Sequence, residues 1–324
     1  MYGRVFMNNR FFSFFILCFA FLACFSCKDS SKTISDTSFS FTDDLNRVVS
    51  VRSAKKIAVL QGSLAHAWIS AGGKLSGFTE DFSNEVKEGV LGDDGESFLD
   101  GAQNLGAMMS PNAELLVSGG YDFVVLSSSL SAHKNILGTL ESSGIPCAFF
   151  HLDTFADYFH VMEIFCKITK NEDTFKKNAL DVKEKIDEIT ADKIKNAPTV
   201  LLLRASSGKI SSRSSRNDAT GAMLSDLGLK NIADEKKSLL EDLSLEKIIA
   251  ENPDFIFVTT MGSSEKAEKY LKSVFEENPA WQSLDAVKEN RFFILPRSLF
   301  HYKPCEKWGE AYLYLHNIFK EIDK

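Results

Sequence analysis

The side chains in this 324-residue chain that could do chemistry are spread along it in small groups. They are Ser63, His66 and Trp68, then Ser127, Ser128 and Ser129, then His151, then Arg213 and Arg216, then Thr260 and Met261, and finally Arg297, His301 and Tyr302. Arginine carries a planar fork of donors that grips a carboxylate, or the oxygens of a metal chelate, with two charge-assisted bonds. Trp68 and Tyr302 could stack on a flat ligand. His66, His151 and His301 are candidates for direct Zn or Mn ligation. Each group also has a plainer reading: arginines in a Ser-rich loop are solvated, a tryptophan on a helix packs in the core, and lone histidines bind nothing. Catalysis finds no foothold, because the chain lacks a Gly-x-Ser-x-Gly elbow, a Walker loop, His-Glu-x-x-His and Gly-x-Gly-x-x-Gly. No enzyme is expected, and no cofactor.

What unites these residues is where they fall. Lys55 to Leu60 reads as a core strand that runs into a small polar loop and a helix capped by Ser63 and ended by Gly72-Gly73. Short strands follow at Leu75–Thr79, Tyr121–Ser127 and Cys147–Leu152, with a helix near 132–142. Strand, loop and helix in alternation imply a mostly parallel sheet covered on both faces, with ligand-facing loops at the carboxyl ends of its strands. Residues 154–196 break the rhythm with a helix at 154–168 and a second, charge-rich one from about 173 to 195. Alternation resumes at Thr199–Arg204, and residues 205–218 read as a long polar loop. Helices at 221–227 and 264–277, a strand at 291–296 and an aromatic-rich helix from Pro304 to Ile322 complete the chain.

Two stretches echo one another. Residues 111–126 and 243–260 each read as a short amphipathic helix, a turn and a buried strand, with Glu114 eight residues before Asp122 and Glu246 eight before Asp254. A unit used twice, about 130 residues apart, suggests two similar lobes. The organisation expected is a signal segment at 1–26, a tether and N-terminal hairpin at 27–54, a first α/β lobe at 55–170, a connecting helix at 171–196 and a second α/β lobe at 197–324.

The first residues bound the compartment. Arg4 and Arg10 precede an apolar run from Phe11 to Ala23, the pattern of an export signal. The abrupt change to Lys28-Asp-Ser-Ser resembles a bacterial lipoprotein signal, with Cys27 as the lipidated residue and Cys24 as the alternative. The protein is therefore expected outside the cytoplasmic membrane, lipid-anchored on its periplasmic or extracellular face. Removing residues 1–26 takes away two arginines and no acid, so the net charge falls from −7 to −9. Nucleic acid is a poor partner for such a chain. Cys147, Cys166 and Cys305 remain, an odd set without metal-binding spacing.

Taken together, Phe41-Thr-Asp-Asp-Leu-Asn-Arg47, the two helix–strand units, Leu227-Gly-Leu-Lys-Asn-Ile-Ala-Asp234 and the run Trp281 to Pro296 resemble the cluster A (class III) substrate-binding lipoproteins of ABC importers. Asn46 stands where that group usually has glycine, and Gly120-Tyr121 where it has Lys-Pro. The resemblance implies two Rossmann-like lobes joined by a single long α-helix, an α/β fold with its ligand in the cleft between lobes and modest closure on binding. It implies an iron-siderophore, haem or cobalamin ligand. It also implies a monomer delivering that ligand to a permease dimer with its ATPase. In such proteins one surface glutamate per lobe meets arginines of the permease, and these map onto Glu114 and Glu246. A bare Zn or Mn ion held by the histidines, or a surface lipoprotein outside transport, are the alternatives.

Overall fold

The structure is a computed structural model that describes residues 38–324, apart from 93, 217, 242, 243, 277, 323 and 324. The export signal and the lipidation candidates Cys27 and Cys24 lie outside the described residues. Among the described residues, no helix is long and apolar enough to cross a membrane.

Strands β1 (Phe39–Thr42) and β2 (Val48–Val51) form an antiparallel hairpin. The first lobe carries β3 (Ile57–Val59), β4 (Gly77–Phe78), β5 (Gln103–Asn104), a small hairpin of β6 (Gly106–Ala107) and β7 (Ser110–Pro111), then β8 (Phe123–Ser127) and β9 (Cys147–Phe150). Five of these make a parallel sheet in the order β5-β4-β3-β8-β9. The second lobe is built on β10 (Thr199–Ser206), β11 (Lys209–Ser212), β12 (Lys230–Asn231), β13 (Phe255–Thr260) and β14 (Phe292–Ile294), ordered β11-β10-β13-β14 with β12 also on β10. Only β11 runs antiparallel in this sheet. The long polar loop expected after Arg204 is in part that strand, because Ser207-Gly208 turns the chain back and buries Ser212, whose hydroxyl donates to the Leu239 carbonyl.

The repeated unit does the same work in both lobes. Asn112 caps the helix Ala113–Ser118, and Asp122 then accepts bonds from the backbone N–H of Lys55 and Lys56 and from the Ser53 hydroxyl, just ahead of β3. Ser244 caps the helix Leu245–Glu251, and Asp254 accepts from the Thr199 N–H and hydroxyl at the head of β10. Each aspartate thereby aligns the starts of two neighbouring parallel strands. Their carboxyl ends consequently open on the same side.

The lobes meet through helices. The helix Phe155–Thr169 carries a full capping box at Thr154 and Asp157 and ends at Lys170 in the left-handed region. Asn171 caps a continuous helical stretch over 172–191 that includes a π-type turn at Lys176–Leu180 and buries Ala179, Ile186 and Ile189. It stops at Asp192, short of the Lys195 that periodicity suggested, where the backbone turns away and Lys320 pairs with the aspartate at 2.7 Å. The closing helix Trp308–Ile322 packs along this connector. Its Trp308 meets Phe155 of the first lobe, and its Phe319 meets Phe255 and Phe257 of the second. One apolar core thus runs from the first lobe into the second.

Two contacts outside that core are testable. Asp43, in the β1–β2 turn, is buried and accepts from Leu45, Arg47 and Phe149 backbone N–H groups and from the Arg47 guanidinium at 2.7 Å. Asp43→Ala leaves the arginine and the Phe149 N–H without that partner, so chemical denaturation should show a loss of about 3 kcal/mol. Glu306, from the second half of the chain, accepts from Ser70 at 2.7 Å and pairs with His66 at 3.2 Å. Burial alone would raise its carboxyl, but the bonds from His66 and Ser70 outweigh it and hold the group at about 2, against an ordinary 4.5. The stability this supplies is complete above about pH 4.5 and is lost as pH falls towards 2. Glu306→Gln should flatten that limb of the stability–pH curve, by about 2 kcal/mol after allowance for solvent screening; an unchanged limb would refute the assignment.

Candidate functional site

The carboxyl ends of the strands face a cleft between the lobes, and the side chains gathered there come from both halves of the chain. From the first lobe, the helix Glu80–Lys87 contributes Asp81, Asn84 and Lys87, and Glu88 follows at its C-cap. From the second lobe come Met261, Gly262, Ser263, Arg297, His301 and Tyr302. They enclose two adjoining pockets of ≈ 480 and ≈ 330 Å³. This is the size range of small-molecule sites.

Arg297 is the hinge of the arrangement. One terminal nitrogen donates to the Thr260 hydroxyl at 3.2 Å, and the other reaches across the cleft to Glu88 at 2.6 Å. His301 shares the Thr260 carbonyl through Nδ1. Burial pulls the imidazole down, with nearby Arg297 and Arg204 pressing the same way and the Thr260 carbonyl opposing them. Tyr302 lies beside Glu88 in the lining of both pockets, and burial together with the neighbouring carboxylates pushes its hydroxyl up. Beneath the cleft helix, Glu85 is buried, and desolvation with Asp81 and Glu88 nearby pushes its carboxyl well above the usual range.

A second basic group stands alongside. Arg204, at the carboxyl end of β10, donates to Asp218 at 2.5 Å, and Arg213 donates to the same oxygen at 3.2 Å. Burial lowers Arg204, partly offset by Asp218 and by Asp153 of the other lobe, and its Nε has no protein partner. Lys303 reaches Asp153 at 2.8 Å, and Asp153 in turn lies 3.2 Å from His151, whose Nδ1 meets the Ser129 hydroxyl. Cationic side chains from the second lobe therefore meet a polar rim on the first.

The residues singled out from sequence divide accordingly. Met261, Arg297, His301 and Tyr302 line the pockets, and Thr260 is buried behind them, positioning Arg297 and His301. Ser128 is half-buried, while Ser129 and His151 reach solvent near Asp153. Arg213 joins Asp218, whereas Arg216 is exposed beyond it. Ser63, His66, Trp68 and Ser127 are corrected: all four are buried. The helix Gly62–Ser70, which carries the first three, is covered by the cleft helix, by Phe155–Thr169 and by the Cys305–Lys307 turn, so the face expected to meet a ligand meets protein, and Ser127 ends the buried strand β8. Trp68 is 1% exposed, stands edge-on to Phe165 and donates to the Lys74 carbonyl. Nor do the three histidines converge: among the described residues, no group of three or more such side chains is placed to hold a metal ion. Asp81, Asn84, Lys87, Glu88 and Arg204 were missed. Thr79-Glu-Asp followed by an apolar residue was a legible helix start, and Arg204 ends an apolar strand with a charge.

Glu114 and Glu246 occupy matching places, each exposed in the first turn of a capped helix. The three cysteines are free and buried.

Comparison with known proteins agrees with this geometry. Residues 84–299 match the model of the periplasmic binding protein family. The iron-uptake system-binding protein of Bacillus subtilis is 30% identical over 205 residues, 61% of this chain and 62% of that relative, so less than two thirds of it is matched. The crystal structure of the triscatecholate siderophore binding protein FeuA of Bacillus subtilis, complexed with ferri-bacillibactin, superposes with a TM-score of 0.65 at 22% identity, covering 86% of this chain and 96% of that one. That of Staphylococcus aureus IsdE complexed with haem gives 0.62 at 19%, covering 82% and 99%. Two lobes with a cleft between them and a family match across most of that cleft lead to one conclusion: the chain belongs to the periplasmic binding protein family, whose members bind substrates and are not enzymes.

Proposed function

We propose that this protein is the substrate-binding component of an ABC importer and captures an anionic ferric chelate of the siderophore type. The observation that carries the proposal is a cleft lined by Arg297 and Lys87, with Arg204 near enough to act on His301 and with Arg213 and Lys303 paired to acids beside it, in a chain whose net charge is −7. Forked donors held in a partly desolvated cleft suit the outward oxygens of a chelate. A flat macrocycle such as haem or a corrinoid is served less well, because Trp68, one of two aromatics that could have stacked on it, is in the core. The iron-uptake relative and the siderophore-bound neighbour support the reading; the haem-bound neighbour shares the fold, so the choice rests on the side chains. Delivery to a permease, and anchoring through a lipid on Cys27 outside the membrane, belong to the same proposal.

Titrating the purified protein with ferri-bacillibactin, a ferric hydroxamate, ferric citrate, haem and cobalamin, followed by tryptophan fluorescence, should give the tightest binding to a ferric chelate. Arg297→Gln should then weaken it about 10- to 100-fold, the range of one charge-assisted bond. Preference for haem or cobalamin would refute the ligand class. For docking, the double change Glu114→Arg and Glu246→Arg should abolish uptake by cells while ligand binding in solution stays within about twofold, since neither residue lines the cleft; intact uptake would remove the docking role.

A further inference from the structure

Glu88 is placed oddly for a helix residue. It is the C-cap of Glu80–Lys87, where the helix presents the negative end of its dipole. Local forces thus disfavour a carboxylate at this position. What holds it is the other lobe: Arg297 Nη2 donates to Glu88 Oε2 at 2.6 Å, and Tyr302 lies beside the pair in the lining of both pockets. Glu88 and Tyr302 line both cleft pockets, so the carboxylate stands between them. The pair is one of several contacts that join the lobes here, with His66 against Glu306 and Lys303 against Asp153, and it reaches solvent: Glu88 is 39% exposed.

We propose that Glu88 is an internal competitor for the ligand: in the empty cleft its carboxylate occupies the Arg297 donor, and an anionic group of the ligand takes that donor by displacing it. The inference rests on the anionic-ligand reading above and adds a residue that sets the affinity threshold. A ligand bearing an anionic oxygen exchanges one carboxylate for another on Arg297 and leaves no guanidinium unpaired. A neutral ligand of the same shape would leave Glu88 in place and find the cleft divided.

The test uses ferri-bacillibactin as probe with four proteins: wild type, Glu88→Gln, Glu88→Gln with Arg297→Gln, and Glu265→Gln. The last removes the same charge from a residue that lines the same cleft without being part of the Arg297 pair. Glu88→Gln should bind roughly three- to tenfold more tightly than wild type at low salt, the range of a solvent-reaching ion pair, with the gain shrinking as salt is added. In the Arg297→Gln background the gain should vanish. If wild type binds and Glu88→Gln binds equally or more weakly, the competitor role is overturned and the ligand reading stands. An equal gain from Glu265→Gln would also overturn it, since the effect would be diffuse charge. Failure of both wild type and Glu88→Gln to bind the probe overturns the proposal and the ligand reading together.

Discussion

The structure depends first on an apolar core that does not stop at the boundary between lobes. The connecting helical stretch and the closing helix lie side by side, and the closing helix drives Trp308 against Phe155 at one end and Phe319 against Phe255 and Phe257 at the other. Separating the lobes along this seam would expose large aromatic surface, which costs about 25 cal/mol per Å². The two sheets are therefore held in a nearly fixed relation. A wide hinge would have to break that core, which leaves side chains and small displacements as the freedom available in the cleft.

That constraint explains which groups reach the cleft. The Gly62–Ser70 helix is packed on several sides, so its polar residues serve the fold, with His66 and Ser70 holding Glu306. The residues left facing the cleft come from the rim: the C-terminal end of the Glu80–Lys87 helix on one lobe, and on the other the ends of β10 and β13 with the 297–303 segment. Most of the basic groups stand on the second lobe's side, with Lys87 on the first. A chain that is acidic overall places arginines and a lysine where the parallel strands end, and acidic partners hold them there.

The duplicated unit shows how a modest sequence signal can carry a strong structural one. Asp122 and Asp254 lie in unrelated neighbourhoods, yet each collects the N–H and hydroxyl groups at the head of the adjacent strand. This fixes strand register locally, in both lobes, with one residue each. It also points the first-turn glutamates outward from equivalent helices, which is why Glu114 and Glu246 present themselves as a pair.

What the sequence determined by itself was whatever depends on neighbours along the chain. The strand–helix alternation, the repeated unit, the connector and the basic residues near strand ends were legible because periodicity, capping and turn chemistry act over a few residues. Even Arg297, His301 and Tyr302 could be placed in the cleft on that basis. Only the tertiary structure decided which face of the Gly62–Ser70 helix is covered, so that Trp68 went to the core, and which carboxylate meets Arg297. Glu88 and Arg297 stand 209 positions apart, and no local propensity relates them. Burial and charge pairing are properties of surfaces brought together by the shared core, and they exist only once that core has formed.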